Sequence, residues 1–313
     1  MPTIKGYILS ALLVLGTCVA AAAHFGSIRE TVPGCHGEID WGDQVLEATG
    51  SGVRPPDAVS PAQARLLAKR AAVADAYRNL AQLISEVSVT GDTTVQRFIT
   101  TNDTVRLRVQ AYIRGARVVD EKDDPDGTYT VTLRVGMAGR RALTGLILPQ
   151  VLPANPQPPA ARPEPPLRLP DVRPDLPPLL EPDLLTPAGA RGPFTSLIID
   201  ARGFDVQPAM SPRIYDPAGQ EIYGTMNVDP GYAEEVGIAG YMGTIRAAMA
   251  MPRAGKRPLV VRAVGTPDAF HRYVSLSADD AQRALDESRH GRYLERCAVI
   301  LVVDERRARD EAQ

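Results

Sequence analysis

No catalytic signature punctuates these 313 residues: the sequence holds no G-x-S-x-G elbow, no H-E-x-x-H, no Walker loop and no G-x-G-x-x-G. The chemistries those motifs hold in place are therefore not announced. The nearest glycine pattern, GIAGYMG, spaces Gly237, Gly240 and Gly243 by three and reads as close backbone packing, not a phosphate loop. An excess of one charge is lacking too. Lys+Arg 35 against Asp+Glu 37 leaves a formal net charge of -2, which argues against a dedicated polyanion binder such as a nucleic-acid protein. Lysine itself is scarce, with only Lys5, Lys69, Lys122 and Lys256, a compositional bias without functional content. Beyond the N-terminus no stretch approaches the ~20 apolar residues of a spanning helix.

Cysteine is nearly absent, with three in the chain. Cys18 lies in the leader; Cys35 and Cys297 remain, and in an oxidising compartment they could form one bridge. Cys297 sits in RCAVILVVD, which reads as a buried strand, where a thiol behaves as a small hydrophobe. Cys35 beside His36, in the loop-like PGCHGE, is too small a set for a metal site, and no metal or cofactor is expected.

What is present begins with an address. Lys5, an apolar run from Tyr7 to Val19 and small residues Ala20 to Ala23 ahead of His24 read as an export signal over 1–23. An uncleaved anchor is the alternative. Lipidation at Cys18 is another, since Leu15 stands three before it, although Thr17 fits a lipobox poorly.

The most decisively patterned stretch is SPAQARLLAKRAAVADAYRNLAQLI, Ser60 to Ile84. Ser60 can cap a helix, Pro61 suits its first position, and Gln63 can reach back to the cap. Leu66, Val73, Tyr77, Leu80 and Ile84 predict one apolar face, and eight alanines keep the helix slim enough for a sheet to approach. Before it, Trp41 to Gly50 reads as a first strand; after it, EVSVTGDTTV, TVRLRVQAYI and YTVTLRV all alternate and read as strands, the last entered through a DEKDDPDG turn. Arg106, Arg108, Arg114 and Arg117 form a basic set that could contact phosphate or peptidoglycan, but they read better as a solvated strand face opposite Asp120, Glu121, Asp123 and Asp124.

This order, marked by AKRAAVADAYRNLA and IRGARVV, resembles the LPP-twenty family of bacterial outer-membrane lipoproteins and the related N-terminal domain of flagellar assembly protein T. The resemblance spans about Trp41 to Met137. It implies an α+β domain, an envelope location and no enzyme activity, and carries over no catalytic residue.

From Pro149 to Pro193 there are 15 prolines in 45 residues. Such a segment favours polyproline II at ~3.1 Å per residue, a spacer that could extend roughly 140 Å. Beyond it, FTSLIIDARG, the hairpin PRIYDPAGQEIYG, the strand LVVRAV, a helix from Ser277 to Arg289 and the strand Ala298 to Val303 imply a second α+β domain, with a short helix over Tyr241 to Ala250. The expected architecture is thus a signal at 1–23 and two small α+β domains, 41–137 and 194–304. Each has a mixed or antiparallel sheet with packed helices; a Pro-rich linker at 149–193 joins them, and a charged tail occupies 305–313.

Catalysis, if present, would use Asp200 and Asp304 at strand ends with His271 as base, because carboxylates at strand ends are where α/β active sites sit. Asp200 reads equally well as a turn residue, Asp304 as the start of a charged tail, and His271 as a half-exposed strand residue. The expectation is a non-catalytic exported envelope protein with a structural or assembly role, of surface or flagellar type. A ligand-binding or hydrolase-like C-terminal module is the alternative. Expected partners are other envelope proteins or a second copy, with no nucleic acid, and the membrane only through a retained anchor or lipid.

Overall fold

The computed structural model describes residues 26–152 and 181–305. The expected signal, Cys18, most of the Pro-rich segment and most of the charged tail lie outside these residues.

The N-terminal unit is a five-stranded antiparallel sheet under one long helix. Its strands are β1 (Arg29–Thr31), β2 (Gly37–Asp40), β3 (Val45–Val53), β4 (Arg117–Asp123) and β5 (Thr128–Gly136), in the spatial order β1-β2-β3-β5-β4. The sheet begins ahead of the expected start at Trp41, because the preceding residues supply β1 and β2. Helix α1 (Pro61–Glu86) starts as its sequence dictates: the Ser60 side chain accepts from Gln63 N–H, and the Gln63 side chain accepts from Val59 N–H.

The buried face of α1 keeps Leu80 and Ile84 of the predicted set, with Val73 and Tyr77 at its margin, but excludes Leu66 and is centred on alanines. Ala64, Ala68, Ala72 and Ala76 line it with Leu80, Leu83 and Ile84, while Leu66 is 59 % exposed. The reason is distance. A Cβ placed on Gly50 would lie 2.0 Å from Ala76 N, and one on Gly52 2.2 Å from Ala68 O. Helix and strand backbones touch there, so only alanine fits between them, and the larger Leu66 is turned outward.

Two alternating segments are not strands. TVRLRVQAYI forms helix α3 (Asp103–Arg114), preceded by α2 (Val95–Thr101). Val105, Val109 and Tyr112 are buried, Leu107 is 60 % exposed, and Asn102 caps the start by accepting from Thr104 and Val105 N–H. Val105 and Val109 satisfy periods of two and four alike; the cap, Asp103 in the first turn and Arg114 in the last decide for helix. The segment 87–95 closes as a tight loop with one Ser88–Thr94 bridge. Helix α4 (Leu143–Ile147) and a 3-10 turn (Leu148–Gln150) complete the unit.

The C-terminal unit is a seven-stranded mixed sheet. Strands β6 (Ser196–Asp200), β7 (Arg213–Tyr215), β8 (Glu221–Tyr223), β9 (Gly240–Met242), β10 (Pro258–Gly265), β11 (Tyr273–Leu276) and β12 (Val299–Val302) lie in the order β8-β7-β11-β10-β6-β12-β9. The central β10-β6-β12-β9 block is parallel, and β6 and β12 are buried along their whole length, as a sheet covered on both faces requires. Ile198, Ile300 and Val302 face a small core with Ile245 and Ala248 of α6 (Ile245–Ala250). Leu197, Ile199, Val299 and Leu301 face the main core, which includes Ala281 and Ala284 of α7 (Ala278–Gly291). Helix α5 (Pro230–Val236) is an element the sequence did not announce, and the expected helix over Tyr241 to Ala250 divides into β9 and α6.

The spacer expectation changes most. The main hydrophobic core runs continuously from Leu46, Leu80 and Val109 of the first unit to Tyr241, Val261 and Leu301 of the second. The units abut. The C-terminal part of the Pro-rich segment also lies on the second unit: Thr186 N–H donates to Val260 O (2.9 Å) and Val260 N–H to the Thr186 hydroxyl (2.8 Å).

Candidate functional site

The carboxyl ends of the parallel strands gather the residues predicted for catalysis. Asp200 ends β6 and is 5 % exposed. Both of its oxygens are engaged by Arg202, Nε at 2.7 Å and Nη2 at 2.9 Å. Arg202 also donates through Nη1 to Glu181 (3.1 Å), whose carboxylate accepts in addition from Ile245 N–H (3.1 Å). The hydrogen bond from Arg202 to Asp200 holds the guanidinium pKa above its ordinary value. This forked pair locks the turn after β6 and ties both carboxylate oxygens of Asp200 to Arg202.

Asp304 stands on the adjacent strand end, exposed, and accepts from Gly203 N–H at 2.7 Å. His271 precedes β11 in a turn, not within a strand, in the left-handed region at φ 54. Its carbonyl accepts from Gln207 N–H (2.7 Å), and its Nδ1 lies 3.8 Å from the exposed Asp205 carboxylate. The loop 201–207 thus touches all three residues, yet each polar contact holds loop backbone or another side chain in place.

At the opposite end of the same sheet the half-buried Arg253 sits among carbonyl oxygens. It donates to Val236 O, to Cys297 O (3.0 Å) and more loosely to Gly237 O and Val299 O (both 3.5 Å). Burial pulls its pKa below the usual arginine value, and burial pushes the neighbouring Cys297 thiol up to about 11. Both cysteines are free; Cys35 Sγ donates to Asn79 O instead. Among the described residues no three His, Cys, Asp or Glu side chains could hold a metal ion, and no helix is long and apolar enough to cross a membrane.

The most extensive polar constellation is the seam between the units. Met210 and Ser211 N–H donate to Ser88 O and Val89 O (2.9 and 2.8 Å), so the segment read as a strand spends its β propensity on the other unit. Arg272 clamps Thr90 O and Gly91 O (3.1 and 2.7 Å), and the Tyr273 hydroxyl accepts from Gly91 N–H (3.1 Å). A second contact covers the open edge of β9: Gly243 N–H donates to Gly26 O (2.7 Å) beside a Ser27–Met242 bridge. The third joins α4 to α5, where the Thr144 hydroxyl donates to Glu234 O (2.6 Å) and Gln44 Nε2 to Val236 O (3.2 Å). Of these residues the sequence singled out Gly243, as a close-packing glycine; the others carried no signal beyond the Thr- and Gly-rich turn at 90–94.

Against known proteins, no curated protein matches the chain. Residues 196–305 match the family model of the second domain of Treponema pallidum Tp0624, which covers the whole seven-stranded sheet. Residues 55–135 match the LPP20 lipoprotein family model, spanning α1 through β5. The N-terminal unit of this chain therefore carries an LPP20 lipoprotein domain.

Proposed function

We propose that the protein is an exported, non-catalytic component of a bacterial cell envelope, in which the two docked α+β units act as a single structural or assembly element. Three observations support this reading. The LPP20 lipoprotein match supplies the envelope class, the N-terminal Lys5 and apolar run supply an export address, and the sheet-end carboxylate best placed for catalysis is engaged on both oxygens by Arg202. The last observation carries the non-catalytic part, because a general base needs an accessible lone pair within reach of its proton.

Fractionation of the native host, with mass measurement of the mature N-terminus, tests the location. A chain cleaved before His24, or lipidated at Cys18, in the envelope fraction is the expected result; an unprocessed chain in the cytosol would sink the proposal. For the role, a deletion strain is complemented with a chain carrying Asp304→Asn and His271→Gln, neither of which sits in the buried pair. Full complementation is expected, and loss of function with normal protein levels would favour a hydrolase-like or ligand-binding second unit.

A further inference from the structure

Several surface arginines have carboxylate partners: Arg54 and Arg65 hold Asp123, Arg106 holds Asp103, Arg134 holds Glu47 and Arg292 holds Glu295. Arg108, Arg140 and Arg141 are set apart by their shared position. All three line one open cleft of about 530 Å³ between α3, the end of β5 and α4, and none forms an ion pair among the described residues. The floor between them is apolar, made by Tyr112, Val135 and Leu146.

The cleft is preorganised. The Tyr112 hydroxyl donates to Gly136 O (2.8 Å), fixing α3 against β5. The turn that carries Arg140 and Arg141 closes through Ala142 N–H to Gly139 O (2.9 Å). Gly139 N–H is itself held by the Thr144 hydroxyl (3.0 Å) and by Glu234 O of the second unit (3.2 Å). Docking of the units therefore sets the backbone position of the turn that carries two of the three arginines.

From this arrangement we infer that the cleft is a binding site for a phosphate ester with an apolar portion. Three arginines line one concavity on a chain whose net charge is -2. A carboxylate offers two oxygens and one negative charge. A phosphate group offers more oxygens and up to two charges, and planar guanidinium groups bind it in paired hydrogen bonds. The volume lies within the ~300–1,000 Å³ of small-molecule sites, and Val135, Leu146 and the Tyr112 ring give the apolar part of the ligand a surface to rest on. The inference is independent of the envelope assignment, since the same chemistry is supplied by a soluble phosphate ester or by a phospholipid headgroup.

The experiment uses the full chain with two probes: inorganic pyrophosphate followed by isothermal titration calorimetry, and sedimentation with phosphatidylcholine vesicles with and without phosphatidylglycerol. Arg108→Gln, Arg140→Gln and Arg141→Gln are combined in one variant; Arg78→Gln with Arg289→Gln, on exposed faces of α1 and α7, form the control. Pyrophosphate binding that weakens with added salt and falls at least about tenfold in the triple variant alone supports a site for soluble phosphate esters. Phosphatidylglycerol-dependent sedimentation with the same loss supports a headgroup site. Binding of neither probe, or equal binding by the triple and control variants, overturns the inference.

Discussion

Trp41 meets Tyr241 edge to face across the seam, ring centroids 5.6 Å apart at 68°. Trp41 is the single tryptophan of the chain and is 3 % exposed, Tyr241 1 %. Each ring is anchored on its own side: Trp41 Nε1 donates to Glu30 (2.8 Å), and the Tyr241 hydroxyl donates to Ala209 O (2.8 Å) while accepting from Ala209 N–H (3.0 Å). The pair is thus a rigid contact between two sheets, and the sole indole reports on docking.

Replacing Trp41 with Ala removes a buried aromatic from the shared core and is expected to lower stability by about 3–5 kcal/mol. In the unaltered protein, tryptophan emission and far-ultraviolet circular dichroism should follow one coincident transition in denaturant. An early fluorescence change with secondary structure intact would mean that the units separate before they unfold.

Gly50→Ala or Gly52→Ala places a methyl group inside the backbone of α1. Because helix and strand must move apart, the loss should reach or exceed the ~1–3 kcal/mol of ordinary overpacking. Gly136→Ala, where no atom lies within 4 Å of the added Cβ, is the matched control and should change the chemical-denaturation midpoint little.

Asp200→Asn leaves Arg202 in a buried site with half of its forked partner lost, which is expected to cost about 3–5 kcal/mol. Asp304→Asn removes the charge at one exposed contact while keeping an oxygen that accepts from Gly203 N–H, and should cost no more than about 1 kcal/mol. Urea titration of the two variants separates them; equal small effects would show that the Asp200–Arg202 pair does not hold the turn.

Alkaline pH should weaken the fold through Cys297. Its folded pKa, raised by burial to about 11, exceeds the ~8.5 of a free thiol. The stabilisation from keeping it neutral is complete below about pH 8.5 and is lost as pH rises through about 11. Burial pushes the Tyr223 and Tyr241 hydroxyls upward in the same sense. Maleimide labelling located by peptide mass should leave Cys297 unmodified at pH 8 in the native protein and modify it fully in denaturant. Rapid native labelling at pH 8 would contradict its burial.

Much of this architecture was legible in the residues. The cap at Ser60, the Asp216 turn of the β7–β8 hairpin, the buried run of β6 and the Ser277 cap of α7 are all local devices, and each forms where the sequence places it. Local pattern failed where a distant partner decided the outcome. Leu66 yields the core to alanines because β3 approaches through Gly50 and Gly52, 16 and 14 positions away. Val87 to Val95 has strand composition but finds its hydrogen-bond partners at Met210 and Ser211. The site residues follow the same rule. Asp200 stands at a strand end as expected, but its engagement by Arg202 and Glu181 depends on how the chain returns from the Pro-rich segment. The arginine cleft combines Arg108, read as a strand face, with Arg140 and Arg141, which no sequence pattern connected to it.

The central claim is that the LPP20 domain and the second unit are held together by their interface and not by the chain that joins them. Inserting a specific protease site within residues 153–180, cleaving it completely and passing the product over a sizing column tests this directly. The two fragments are expected to elute together at the position of the uncleaved protein and to part only when Trp41 and Arg272 are both replaced by Ala. Separation of the fragments of the unaltered protein under native conditions would contradict the account.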